Sequence, residues 1–236
     1  GGSTRSRTLD IVQALSARSE TEIAPHMSCI GDDKAQIAEL LEFYKSLGIR
    51  RLVALRGDLP SGQVGMGELP FAVDLVKFIR EYSGDHFHIE VAAYPEMHPQ
   101  ARSFEFDVDN LVNKYRAGAN ASITQFFYNA DSYLYLRDTL EKRGIDTIAQ
   151  PLVAGIMPIT NYTKLARFSD ACGAEIPRWI RKQLEAYGDD SDAIAAFGTD
   201  VVTRLCERLL DGGAPGLHFY TLNQAAPVLK VVDNLS

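Results

Sequence analysis

No apolar run in the chain approaches the roughly 20 residues that a membrane-spanning helix needs, and no secretory leader opens it. Membrane insertion and secretion are therefore not expected. Cysteine is scarce: Cys29, Cys172 and Cys206 are odd in number and show neither a CxxC pair nor metal-site spacing. A reducing, cytoplasmic setting without a bound metal is expected. Positive charge is short as well, since 24 Lys and Arg stand against 31 Asp and Glu, a net charge of −7. Such a chain presents no general surface to nucleic acid or to a membrane, so an anionic ligand must be held by local cations. A GxGxxG fingerprint after the first strand is also missing, and the nearest glycine cluster, GQVGMG at 62–67, sits in a loop. This weakens the case for an open dinucleotide-binding sheet. Repeats and low-complexity linkers are absent too. With 46% hydrophobic residues in 236, the chain reads as a single domain around one sizeable core.

What is present is a regular alternation. Strand-like apolar runs rich in Val, Ile, Ala and Phe fall at about 22–29, 51–55, 88–93, 121–127, 149–156 and 216–221. Amphipathic stretches lie between them at 33–47, 70–82, 107–117 and 131–143, followed by a longer helical block at about 161–211 and a last helix after Asn223. Within the block, Gly188-Asp189-Asp190-Ser191 reads as a surface turn separating two helices. Strand–helix alternation gives an α/β fold, either a barrel or a doubly wound sheet. A (β/α)8 TIM barrel needs eight strands over about 250 residues, and about six are present here. The first strand, first helix and second strand of a barrel are thus expected upstream, with GGSTRSRT read as the loop that follows a strand.

Polar groups gather at the strand ends. The run RLVALRGDLP (51–60) passes from a buried-type strand into Arg56, Gly57 and Asp58; HIEVAAYPEMHP (88–99) delivers Tyr94, Glu96 and His98; ASITQFFYN (121–129) delivers Thr124 and Gln125. Parallel strands with helical crossovers send their carboxyl ends to one face, where ligands bind. Each residue also has a plainer account. Asp58 suits a helix N-cap or turn, Arg56 a salt bridge with Asp58, and Gly57 a tight turn. His26 suits a core or rim position. Asp107, Asn110 and Lys114 share one helix face by spacing, which also describes a solvated surface. A buried Gln125 calls for polar partners. The aromatic clusters 126–128 and 219–220 read as core and rim, not as a stacking platform for bases. No lysine falls on a strand-like run, which leaves a Schiff-base lyase or aldolase without its nucleophile.

The stretches GGSTRSRT, APHMSC, ALRGDLP, AAYPEMHP, AGANASITQFFYN, GIMPITNY, IPRWI and LHFYTLN, in that order and spacing, resemble methylenetetrahydrofolate reductases of the bacterial, single-domain type. The resemblance covers essentially the whole chain. It implies a (β/α)8 flavoprotein that takes FAD as cofactor and NADH or NADPH as co-substrate. In a ping-pong hydride transfer, 5,10-methylenetetrahydrofolate is reduced to 5-methyltetrahydrofolate, a reaction of one-carbon and methionine metabolism. Asp58 is then the catalytic residue. His26, Arg56, Gly57, Asp58, Ala72, Tyr94, His98, Ala101, Asp107, Asn110 and Lys114 are cofactor-binding by the same resemblance, and Gln125, Lys164, Phe168 and Gln224 substrate-binding. The family's acid–base glutamate and its Thr-Tyr-Gly-Ala flavin contact belong to the two upstream strands and are not in these 236 residues. Three departures stand out: Asn113 where some members carry arginine, Lys164 where some carry glutamine, and Gln224 where arginine is common. A homo-oligomer is expected, and a flavin- or folate-binding barrel without reductase activity is the alternative.

Overall fold

The computed structural model describes residues 5–57 and 67–236. In chain order its elements are α1 (Arg5–Ser16), β1 (His26–Ser28), α2 (Lys34–Ser46), β2 (Arg51–Leu55), α3 (Ala72–Ser83), β3 (His88–Ala93), α4 (Phe104–Arg116) and β4 (Ala121–Thr124). They continue with α5 (Ala130–Lys142), β5 (Leu152–Ile156), α6 (Tyr162–Cys172), α7 (Arg178–Tyr187), α8 (Ser191–Asp211), β6 (Leu217–Phe219) and α9 (Ala225–Leu235). Two compact units divide the chain: Gly1–Ala92 with Asn113–Ala121, and Ala93–Val112 with Ser122–Ser236. Among the described residues no helix is long and apolar enough to cross a membrane.

In the first unit β1, β2 and β3 pair in parallel. The core rows come from Leu52, Val53 and Ala54 of β2 and Ile89 and Val91 of β3, all buried. Helix α2 buries Ile37, Leu40, Leu41 and Tyr44, the stripe its periodicity predicts. Its start is fixed by a capping box: Asp33 Oδ1 accepts from Gln36 N–H (2.8 Å) and Gln36 Oε1 from Asp33 N–H (3.0 Å). Arg80 of α3 ties three segments together. Its guanidinium donates to the carbonyls of Gly118 (2.7 Å) and Phe87 (2.8 Å) and to Asn120 Oδ1 (2.6 Å), which also accepts from Ile89 N–H. Gly118 has φ +116, and a Cβ there would stand 2.8 Å from Arg80 Cγ, so only glycine fits against the strap.

In the second unit β4, β5 and β6 pair in parallel. The junction of β3 with β4 is visible within each unit, as Asn120 N–H to Ile89 O (2.8 Å) in the first and Gln125 N–H to Ala93 O (2.8 Å) in the second. The sheet order is therefore β1-β2-β3-β4-β5-β6, with β1 and β6 at its ends. Among the described residues it is an unclosed run of six parallel strands, in line with the strand count. Helices α7 and α8 are separated where the sequence indicates: Gly188 ends α7, and Asp190 caps α8 by accepting from Ala193 N–H (3.0 Å).

Two sequence expectations are corrected. The opening GGSTRSRT, read as a loop after a strand, runs from Arg5 into α1 (Arg5–Ser16), whose described side chains bury Val12 while leaving Ile11 51% and Leu15 46% exposed. Without a single apolar stripe, periodicity gives no helix signal. The strands are also shorter than the apolar runs: β1 begins at His26 instead of residue 22, and β4 stops at Thr124. The surplus apolar residues Phe126, Phe127 and Tyr128 are buried beyond the strand end, where Tyr128 donates to Met157 O (3.1 Å).

Candidate active site

In the first unit β2 runs directly into Arg56, whose carbonyl accepts from Cys29 N–H (3.2 Å) and Ile30 N–H (2.9 Å) and so extends the β1–β2 pairing by one step. The Arg56 Nε donates to Gly57 O (3.2 Å). Asp58, the expected catalytic residue, lies outside the described residues. Gly57 has φ +84, and a Cβ there would meet Ser28 Cβ at 2.8 Å. The turn and its packing on β1 thus require glycine whether or not a ligand is bound. Buried Cys29 lies 3.8 Å from the carbonyls of Arg56 and Phe71, and burial pushes its thiol up to about 11, so it is inert at neutral pH. Ala72 opens α3 and is half-buried. Lys114 donates its ammonium to the carbonyl of Ala92 at the end of β3, placing a cation at that strand end.

His26 shares a row of the sheet with Val53 and Glu90. Glu90 is buried and its Oε1 accepts from Arg51 Nη2 at 2.7 Å, while Arg51 Nη1 reaches Glu22 at 3.3 Å. His88 Nε2 stands 3.8 Å from Glu90 Oε1, too far for a hydrogen bond, and is buried with no partner among the described residues. Desolvation lowers both imidazoles below their ordinary value of 6.5, with Glu90 acting in the opposite sense; the His26 ring keeps an accessible edge although protein crowds it. A depressed folded-state pKa means that the unfolded chain takes up protons first. The contribution of these neutral rings to stability is therefore full above about pH 6.5 and lost as pH falls through the lowered folded values, with the larger part assigned to His88 because His26 is exposed. Denaturant titrations across this range are expected to show that loss, and His88→Gln is expected to flatten it; a variant profile parallel to the parent's would remove His88 from the account.

In the second unit the segment after β3 is closely braced. The Tyr94 and His98 rings meet edge to face at 4.5 Å between centroids. Asp107 of α4 accepts from His98 N–H at 2.8 Å, and Ala101 N–H donates to His98 O at 2.8 Å, so this turn is braced from both sides. The His98 Nδ1 accepts from Gln100 N–H (3.0 Å), and the neutral ring accordingly carries its proton on Nε2, as a donor. Asn110 is exposed on α4.

Gln125 follows β4, and its Oε1 accepts from Phe126 N–H (3.0 Å), which leaves the amide NH2 as a donor. Phe168 on α6 is 42% exposed, so its ring presents an accessible aromatic face. Lys164 is exposed on the same helix, and its N–H is capped by Asn161 Oδ1 (2.9 Å). Gln224 is the exposed N-cap of α9 and makes no side-chain cap bond among the described residues.

Strain falls in the same places. Among the described residues the non-glycine positions of positive φ are Met97 (77°), Leu222 (48°) and Asn223 (61°), in the segments that follow β3 and β6. Such conformations cost energy for Leu and Met and persist where surrounding structure demands them, often at ligand sites. A cleft of about 680 Å³ opens in this unit, lined among others by Glu96, Asn129, Glu175, Arg178, Trp179 and Arg204. Sequence reasoning did not anticipate it, because its lining comes from segments distant in the chain.

A parallel α/β sheet of barrel type, with polar and strained residues beyond the carboxyl ends of its strands, defines an enzyme scaffold of the kind that binds small molecules at those ends. The family model for methylenetetrahydrofolate reductase matches residues 1–236. A 5,10-methylenetetrahydrofolate reductase of Pectobacterium carotovorum is 39% identical over 221 residues, 94% of this chain and 72% of that protein. Two eukaryotic relatives carry different reductants in their names. The Caenorhabditis elegans protein, a probable NADPH form, is 39% identical over 89% of this chain and 32% of its own length. The rice protein, a probable NADH form, is 37% identical over 100% and 41%. The chain belongs to the methylenetetrahydrofolate reductase family, and with it to the oxidoreductases. Among solved structures, an uncharacterized protein from Clostridium thermocellum, described as binding two copies of 5-methyl-5,6,7,8-tetrahydrofolic acid, superimposes with a TM-score of 0.51 at 15% identity. The match covers 94% of this chain and 98% of that one, a likeness of fold.

Proposed function

We propose that this chain carries the greater part of a flavin-dependent reductase that converts 5,10-methylenetetrahydrofolate to 5-methyltetrahydrofolate at the expense of NADH or NADPH, as one cytoplasmic barrel domain that self-associates. The observation that carries this reading is the family match along all 236 residues. The donor set of the second unit fits FAD. His98 presents a protonated Nε2, Tyr94 a hydroxyl and an aromatic face, and the Met97 turn holds both in a strained but braced arrangement. When bound, FAD supplies the relay of hydride from nicotinamide to folate, chemistry that no side chain provides.

The remaining work falls to the protein. His98 and Tyr94 bind ribose or phosphate oxygens, and Arg56 and Lys114 contribute local positive charge at their strand ends in a chain of net charge −7. Lys114 does so while holding Ala92 O in β3, and Asp107 braces His98, so Asp107 positions the loop as well as binds. Asn110 and Ala101 complete the adenosine side of this reading, with Ala72, Gly57 and His26 on the flavin side. Gln125 presents its NH2 to a carbonyl or ring nitrogen of the substrate. Phe168 provides an accessible aromatic face for the pterin or nicotinamide ring. Lys164 and Gln224 stand nearest in type to the folate carboxylates and amides.

Initial-rate kinetics test this directly. With NADH or NADPH varied against several fixed concentrations of 5,10-methylenetetrahydrofolate, parallel reciprocal plots are expected, the signature of a shared site used in turn. Phe168→Ala is expected to raise both KM values by about tenfold, the scale of one lost aromatic contact and its buried area. Intersecting plots, or turnover without bound flavin, would overturn the proposed mechanism.

A further inference from the structure

Glu96 stands in the segment between Tyr94 and His98, and its carboxylate bonds to groups outside that segment. The Oε2 atom accepts from the Glu175 N–H at 2.7 Å, and the same side chain takes a hydrogen bond from Ser132 of α5. Glu175 lies just beyond α6, between Gly173, which ends that helix in the left-handed region (φ +71), and Pro177, which precedes α7. The two segments also interlock sterically. A Cβ at Gly173 would stand 2.9 Å from Pro99 Cγ and 3.6 Å from Met97 O, so the α6 end packs into the turn that Met97 holds at φ 77. Pro95, the neighbour of Glu96, is buried, and Cys172, Gly173 and Ala174 line a small void together with Tyr94, Met97 and Gln125. One carboxylate thus joins the loop carrying Tyr94 and His98, the start of α5, and the segment that fixes the C-terminal end of α6.

We infer that Glu96 is a positioning residue for the folate site: it locks the end of α6 onto the Tyr94–His98 loop and so sets the placement of Phe168 and Lys164. This rests on the reading of α6 as the substrate helix given above. The bond is charge-assisted and made to a backbone N–H, which makes it short and directional. Desolvation raises the Glu96 pKa, with the nearby Glu175 charge adding to the shift, and the backbone bond opposes it. A half-buried carboxylate kept in that setting is held by what it binds, not by solvent.

The test compares Glu96→Ala, Glu96→Gln and Phe168→Ala in the purified holoenzyme, with 5-methyltetrahydrofolate binding measured by calorimetry. Glu96→Ala is expected to weaken binding and raise the folate KM about tenfold, the scale of one charge-assisted hydrogen bond, while kcat stays within about twofold. Glu96→Gln keeps an acceptor oxygen and is expected to restore affinity to within about threefold. The Glu175 amide, followed by hydrogen exchange, is expected to exchange faster in Glu96→Ala only. Unchanged affinity in Glu96→Ala, with Phe168→Ala impaired, would overturn the positioning role and leave the substrate helix standing. Failure of Phe168→Ala to change affinity would overturn the substrate helix, and this inference with it. Should Glu96→Ala not fold, Glu96→Asp withdraws the acceptor by one methylene and carries the same comparison.

Discussion

Gly155→Ala is expected to destabilise the protein by about 3–5 kcal/mol, the range of severe overpacking against an unyielding backbone. A Cβ at this position of β5 would lie 2.0 Å from Thr124 O and 2.8 Å from Tyr220 Cε2. Neither neighbour is free to move. Thr124 O accepts from Tyr220 OH at 2.7 Å, and Thr124 Oγ1 accepts from Gly155 N–H at 2.8 Å, so β4, β5 and the end of β6 are cross-bonded at this one point. Displacing Tyr220 also moves the chain toward Leu222 and Asn223, whose left-handed conformations precede Gln224. Folate affinity should therefore fall together with stability. Urea titration is expected to show a lower midpoint at an unchanged slope; a variant within about 1 kcal/mol of the parent would mean that the strands separate more readily than this packing allows.

Asp58→Asn is expected to lower turnover by about 10²-fold, the usual cost of removing one preorganised electrostatic contact from a reaction centre. Asn keeps the shape and turn propensity of Asp and discards only the charge. The substitution therefore separates the two accounts of this residue. If the carboxylate favours positive charge developing on the folate as its imidazolidine ring opens, kcat falls while folding stability stays within about 0.5 kcal/mol. A turn or N-cap role predicts that neither changes, because Asn caps as well as Asp and turnover would be untouched. The described neighbours leave room for the catalytic account. Arg56 donates to Gly57 O, and Gly57 is explained by its turn and by Ser28, so neither residue absorbs the expected role of Asp58.

The α/β class and its six strands are legible because each strand is a short Val-, Ile- or Ala-rich run bounded by Gly, Pro or Asp, with helical stripes between. Helix α2 shows this well, since Ile37, Leu40, Leu41 and Tyr44 form the buried face that their spacing predicts. The break at Gly188 was readable for the same local reason. Long-range partners were not readable. Spacing puts Asp107, Asn110 and Lys114 on one helical face, but not that Asp107 bonds His98 N–H or that Lys114 bonds Ala92 O. The Arg51–Glu90 pair spans 39 residues and the Glu96–Glu175 bond 79. A strand-end carboxylate in the sequence looks equally suited to a ligand, a cap or a distant amide. The strained backbone at Met97 and Leu222 is likewise set by packing, since neither residue type signals positive φ.

The central claim is that this chain's protein is a flavin-dependent folate reductase. The most direct measurement is the visible spectrum of the purified protein under anaerobic conditions, first alone, then with NADH or NADPH, then with 5,10-methylenetetrahydrofolate. The account predicts a bound-flavin band that the nicotinamide bleaches and the folate restores, with 5-methyltetrahydrofolate recovered as product. A band that is bleached but not restored by the folate, or a protein that retains no flavin, would contradict it.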